Sequence, residues 1–153
     1  MQQSVSVLYE QYKNGIYRYA LSILKDPHQA EDILHDTFVK VLSDGLRCAR
    51  GKEQAWLYRV ARNLCFDRLR RAKKEQPQTR LPEDPENRYA YIDLIASLSP
   101  QEQELVTLKI VGGLTHKEIG QVLGITAKAA QKRYERAIVT LREKEDDHGT
   151  ETT

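Results

Sequence analysis

The sequence predicts an all-α fold, built as two small helical domains joined by a flexible linker. Three observations carry this. Every periodic stretch repeats its apolar residues at helical spacing, and none alternates or carries a hairpin turn. The stretch KKEQPQTRLPEDPENR (73–88) holds three of the five prolines and one aliphatic residue, Leu81, so it has little to bury and favours extended backbone. Beyond it stand two helix-start signatures, SPQE (99–102) and THKE (115–118). The chain thus divides into a first unit (1–73), a linker (74–91), a second unit (92–144) and a frayed tail (145–153).

In the first unit, Leu8, Tyr12, Ile16, Tyr19 and Ile23 form one apolar stripe on a first helix. Asp26-Pro27 has the chemistry of an N-cap followed by proline at the first helical position. The helix it opens buries Ile33, Leu34, Thr37, Phe38 and Val41 and ends at Asp44-Gly45. A basic loop, LRCARGK (46–52), leads into a long third helix on which Trp56, Leu57, Val60, Ala61 and Leu64 share the core face.

In the second unit, Ser99, Pro100 and Glu102 supply the cap, the first position and the reciprocal acceptor of a helix running through Leu105, Leu108 and Val111 to Gly112-Gly113. Thr115 and Glu118 repeat the device for a short helix carrying Ile119, Val122 and Leu123. Gly124 fits a left-handed C-terminal position, and Thr126 caps a last helix with a buried stripe of Ala130, Tyr134, Ala137, Ile138 and Leu141. Two helices joined by the tight turn GIT form a helix-turn-helix pattern.

Composition narrows the function. Hydrophobic residues are 40% of the 153 and charged residues 30%, which is a foldable, water-soluble balance. No stretch approaches the roughly 20 apolar residues of a membrane span, and the N-terminus reads as having no signal peptide, so a cytoplasmic protein without membrane insertion is expected. Cys48 and Cys65 form no CxxC pair and read as reduced thiols. The net charge of +2 is unevenly spread: residues 1–75 carry 14 Lys/Arg against 9 Asp/Glu, and residues 92–153 carry 8 against 10. Basic patches on a near-neutral chain point to phosphate contact at defined faces. There is no nucleophile elbow, Walker loop, HExxH or glycine-rich phosphate loop, so no catalytic set, metal or cofactor is expected.

Three faces stand out. Opposite its buried stripe, the last helix carries Lys128, Lys132, Glu135, Arg136 and Val139, with Gln131 and Arg133 at the borders. Gln131 and the lysines suit base edges, and Arg133 and Arg136 suit phosphates. The third helix bears Tyr58, Arg59, Arg62, Phe66 and Leu69 away from its core side, a mixture of cations and rings that suits an unstacked nucleic-acid strand. A membrane surface accepts such a helix too, and Phe66 and Leu69 fit equally well against the first helix. On the second helix His28, Asp32, His35 and Val39 line up away from the core, and Val39 there marks a docking face for a partner helix. His28 and His35 lack a third metal ligand at a fitting spacing.

Three stretches in order, AEDILHDTFVKVL (30–42), AWLYRVARNLCFDRLRR (55–71) and LSPQEQELVTLKIVGGLTHKEIGQVLGITAKAAQKRYERAIVTLR (98–142), resemble bacterial extracytoplasmic-function (ECF) sigma factors of the sigma-70 family. The resemblance implies that the first unit is a three-helix sigma domain 2, which docks on the clamp helices of the RNA polymerase β′ subunit and melts the −10 promoter element. It implies that the second unit is sigma domain 4, which reads the −35 element and touches the β-flap. Carried over, polymerase contact falls to Asp32, His35 and Val39. The −10 contact falls to Arg47, Arg50, Lys52, Tyr58, Arg59, Arg62 and Asn63, and the −35 contact to Lys128, Gln131, Lys132, Arg133 and Arg136. Expected partners are core RNA polymerase, promoter DNA and, where one exists, an anti-sigma factor. The family usually has glutamine where this chain has His35. Its Gly-Thr-Val-Lys-Ser-Arg run is replaced here by KAAQKR (128–133). The helix-turn-helix alone also fits a stand-alone transcriptional regulator binding palindromic duplex as a dimer, and the whole chain a protein-interaction adaptor.

Overall fold

The computed structural model describes residues 5–45, 48, 51–75 and 93–151, with side chains up to 72 in the third stretch and up to 143 in the last. Arg47, Arg50 and nearly all of the expected linker lie outside the described residues. The described residues form six helices and no strand: α1 (Val5–Leu24), α2 (Pro27–Asp44), α3 (Glu53–Glu75), α4 (Pro100–Ile110), α5 (His116–Leu123) and α6 (Ala127–Glu151).

Local chemistry sets the boundaries. Asp26 accepts from the backbone N–H groups of His28 and Gln29, and Pro27 follows at the first helical position of α2. Gly45, at φ 77°, ends that helix. Ser99 with Glu102 and Thr115 with Glu118 each form a complete capping box at the start of α4 and α5. Gly124 is left-handed at φ 74°, ψ 33°, and the Thr126 hydroxyl accepts from Ala129 N–H at 3.1 Å to start α6.

The apolar stripes meet as their periodicity demands. Leu8, Ile16 and Tyr19 of α1, Ile33, Phe38 and Val41 of α2, and Leu57 and Ala61 of α3 are buried together. The expected two units are present, but their cores are not separate. Leu105, Leu108, Leu114, Ile119, Val122 and Ala130 belong to the same buried cluster as the first unit's residues. A smaller cluster, Ile95, Leu98, Val106 and Ala137, is the second unit's own. The physical reason is size: helical units of some 50–70 residues bury a limited fraction of their surface, and joining them covers apolar area each leaves open.

A seam of polar contacts borders the shared core. The Tyr19 hydroxyl donates to Glu104 Oε1 at 2.9 Å, Lys25 Nζ to Gln103 Oε1 at 2.9 Å, and Gln54 Nε2 to the Gly112 carbonyl at 2.6 Å. Arg62 is ion-paired with Glu104. At the seam's centre the Tyr58 ring packs edge-on against Tyr19, with centroids 5.5 Å apart. A Cβ at Gly15 would collide with the Tyr58 hydroxyl, and one at Gly112 would sit 3.2 Å from Tyr58 Cζ. Two glycines therefore give that ring its space.

Candidate nucleic-acid and partner interfaces

The second helix of the helix-turn-helix, α6, is held against α5 by a close turn. A Cβ at Gly120 would sit 2.5 Å from the Ile125 carbonyl oxygen, so only glycine lets the turn pass this close to α5. Ala130 and Ala137 face inward, and Lys128, Gln131, Lys132, Arg133 and Arg136 are all exposed. Gln131 also reaches Glu135 at 3.4 Å, and Val139 is 52% exposed further along the same face. A helix carrying four cations and a glutamine near its N-terminus, free of its own core, suits a major groove.

On α3 the expected strand-binding face divides in two. Arg59, Asn63, Phe66 and Arg70 recur at helical spacing, and all but the half-buried Phe66 are exposed. Lys52, just before the helix, is exposed as well. The adjoining Tyr58, Arg62 and Cys65 turn instead towards the seam. Tyr58, expected at the −10 contact, is 1% exposed. The second unit covers the part of α3 that carries Tyr58, where Gly112 lies against its ring. Arg62 is half-buried: its guanidinium lies 4.7 Å from the Phe66 ring centroid, and its Nε donates to Glu104. Leu69 packs on the shared core and, with Arg62, Asn63, Phe66 and Arg70, also lines an open groove of about 790 Å³.

Burial also sets the acid–base character of the seam. Burial first, and then the adjacent Glu104 carboxylate, push the Tyr19 hydroxyl well above its ordinary value, so it stays a donor. Burial and Glu104 push the Cys65 thiol from 9.0 up to about 12, with Arg68 opposing. Cys65 is 0% exposed and free, and Cys48 is a half-buried free thiol.

The third face lies on α2. His35 and Asp32 are exposed and Val39 is 45% exposed, as their spacing required. They line a shallow groove between α1 and α2, together with Tyr9, Glu31 and Leu42. Arg68 reaches across from α3 to pair with Asp32 at 3.2 Å and Asp36 at 3.7 Å. Leu42, 69% exposed, was missed by the sequence reading, although its spacing from His35 and Val39 places it on the same face. Tyr9 was missed because it comes from another helix, where its ring packs edge-on to Phe38 at 5.2 Å.

The folded chain can be set beside known proteins. The Sigma-70 region 2 model matches residues 8–75, and the Sigma-70, region 4 model matches residues 88–141. The chain is 29% identical to the ECF RNA polymerase sigma factor SigE of Mycolicibacterium smegmatis, over 95% of this chain and 63% of that one. It is 32% identical to the ECF RNA polymerase sigma factor BldN of Streptomyces coelicolor, over 88% of this chain and 57% of that one. It thus spans less than two thirds of the length of either relative. The structure of CnrH in complex with the cytosolic domain of CnrY has the same fold, with a TM-score of 0.70 and 23% identity, over 94% of this chain and 88% of that one. Among the described residues no helix is long and apolar enough to cross a membrane.

Proposed function

Because the chain belongs to the sigma-70 family, in its extracytoplasmic-function group, we propose that it binds core RNA polymerase and directs it to promoters, reading a −35 and a −10 element and opening the latter. The observation that carries this reading is the exposed cationic face of α6, following a region-2-like unit in the order the family uses.

The roles divide by geometry. Lys128, Gln131 and Lys132 address base edges of the −35 duplex, and Arg133 and Arg136 hold its phosphates. Lys52, Arg59 and Asn63, with the half-buried Phe66 ring beside them, take the opened non-template strand of the −10 element. Cations hold the backbone there, and the ring offers a stacking surface. Arg47 and Arg50 of the preceding loop belong to the same task. Asp32, His35 and Val39, extended by Leu42 and Tyr9, form the surface for the β′ clamp helices. The second unit also meets the β-flap. The chain contributes binding and strand separation, and the polymerase makes the bonds. Where an anti-sigma factor exists, the α1/α2 groove, with Val39 and Leu42 exposed, is a surface it would compete for. A stand-alone regulator leaves that groove without a task.

Titrating fluorescently labelled chain with purified core RNA polymerase tests the polymerase half of this reading. Val39→Asp places a charge in the apolar groove and is expected to weaken binding at least ~10-fold, about 1.4 kcal/mol. Binding that is absent in the wild type, or indifferent to Val39→Asp, contradicts it.

A further inference from the structure

Arg62 is claimed twice. The family resemblance gives it to the opened −10 strand, yet in the folded chain its Nε donates to Glu104 of the second unit. Glu104 is 7% exposed, and the Tyr19 hydroxyl also donates to it at 2.9 Å. A carboxylate this buried is tolerable only while its partners stay in place. The Arg62 guanidinium is meanwhile held near the Phe66 ring, at the edge of the groove where Asn63 and Arg70 are also found. One cation therefore stands at the boundary between the inter-unit seam and the open strand-binding face.

We propose that Glu104 stands in for a backbone phosphate of single-stranded DNA, so that the free chain masks its own strand-opening face. This rests on the sigma reading above. Carboxylate and phosphate oxygens compete for the same guanidinium donors. While the units are joined, Glu104 holds Arg62 and the second unit covers Tyr58. A DNA strand that captures Arg62 leaves Glu104 buried with the Tyr19 hydroxyl alone, which disfavours the closed seam. Parting the units frees Arg62 for the strand. Strand capture and seam opening are thus one coupled equilibrium. The masking is selective: Lys128, Gln131, Lys132, Arg133 and Arg136 stay exposed in the same structure. The free chain keeps its duplex-reading face and withholds the face that grips an opened strand.

The full-length chain, without polymerase, is titrated into two fluorescently labelled probes, a mixed-sequence single-stranded 20-mer and the corresponding duplex. Glu104→Gln keeps the side chain's size and an oxygen for Tyr19 but removes the charge that holds Arg62. If the closed seam withholds Arg62 in about nine chains of ten, single-strand affinity rises about ten-fold. Duplex affinity stays within about two-fold, and adding Arg62→Ala to Glu104→Gln abolishes the single-strand gain. No single-strand gain in folded Glu104→Gln protein, or a gain that survives Arg62→Ala, overturns the proposal. Should Glu104→Gln fail to fold by circular dichroism, Gln54→Ala replaces it. That variant loosens the seam at the Gly112 carbonyl, away from the charged pair. A rise that depends on Arg62 supports the proposal, and no rise overturns it. These readouts contain no polymerase, so they fail separately from the sigma reading, which stands or falls on polymerase binding and chain-dependent transcription.

Discussion

Replacing Leu108 with alanine cuts a cavity in the second unit, and the structure says the first unit should feel it. Leu108 is 0% exposed and belongs to the buried cluster that also contains Leu57 of α3 and Ile16 of α1. Truncating a fully buried leucine costs about 3 kcal/mol, the lost transfer energy plus the unfilled cavity. For a chain of 153 residues, each kcal/mol moves Tm by about 2–4 °C, so the midpoint should fall by roughly 6–12 °C. The sequence has one tryptophan, Trp56, which is on α3 in the first unit and packs against the same cluster. Its fluorescence reports on the first unit, and far-ultraviolet circular dichroism reports on all helices. The account predicts one transition, with both signals moving down together. If Leu108→Ala leaves the Trp56 transition in place while circular dichroism splits in two, the units do not share a core and the reasoning fails.

Other consequences follow from the same seam. Glycine to alanine within a helix ordinarily gains about 1 kcal/mol, but Gly15→Ala drives a methyl into the Tyr58 hydroxyl. It should instead destabilise by about 1–3 kcal/mol, and adding Tyr58→Phe should restore part of the loss in denaturant titrations. Cys65, buried with its thiol pushed up to about 12, should react with a thiol reagent far more slowly than Cys48. Its labelling rate should rise in Glu104→Gln if the seam opens there. The unfolded thiol ionises near pH 9, while the folded one stays protonated until about 12. Its contribution therefore lowers stability as pH rises across that window, and Cys65→Ser should flatten the decline in urea titrations run from pH 8 to pH 11.

The fold was legible wherever it depends on neighbours in the chain. Asp26-Pro27, Ser99 with Glu102, Thr115 with Glu118, and Gly124 each act through backbone groups a few residues away, and each does so in the structure. The exposed cationic face of α6 was legible for the same reason, since helical periodicity separates Ala130 and Ala137 from Lys128 and Lys132. The α3 surface was only half legible. Periodicity showed that Tyr58 and Arg62 lie off the first unit's core, but not that another unit covers them. That cover depends on Glu104, 42 residues from Arg62 and 85 from Tyr19, across a linker without periodic signal. Leu42 was readable and overlooked, its spacing from Val39 being the same clue that singled out Val39.

The central claim is tested most directly by transcription from a randomised promoter library, using purified core RNA polymerase with and without this chain and sequencing the 5′ ends of the products. The account predicts discrete start sites that need the chain and lie downstream of two shared sequence elements. Lys132→Glu with Arg133→Glu, on the exposed face of α6, should remove those starts without unfolding the protein. Start sites that are the same with and without the chain, or a dimer footprint on palindromic duplex in the absence of polymerase, would contradict it.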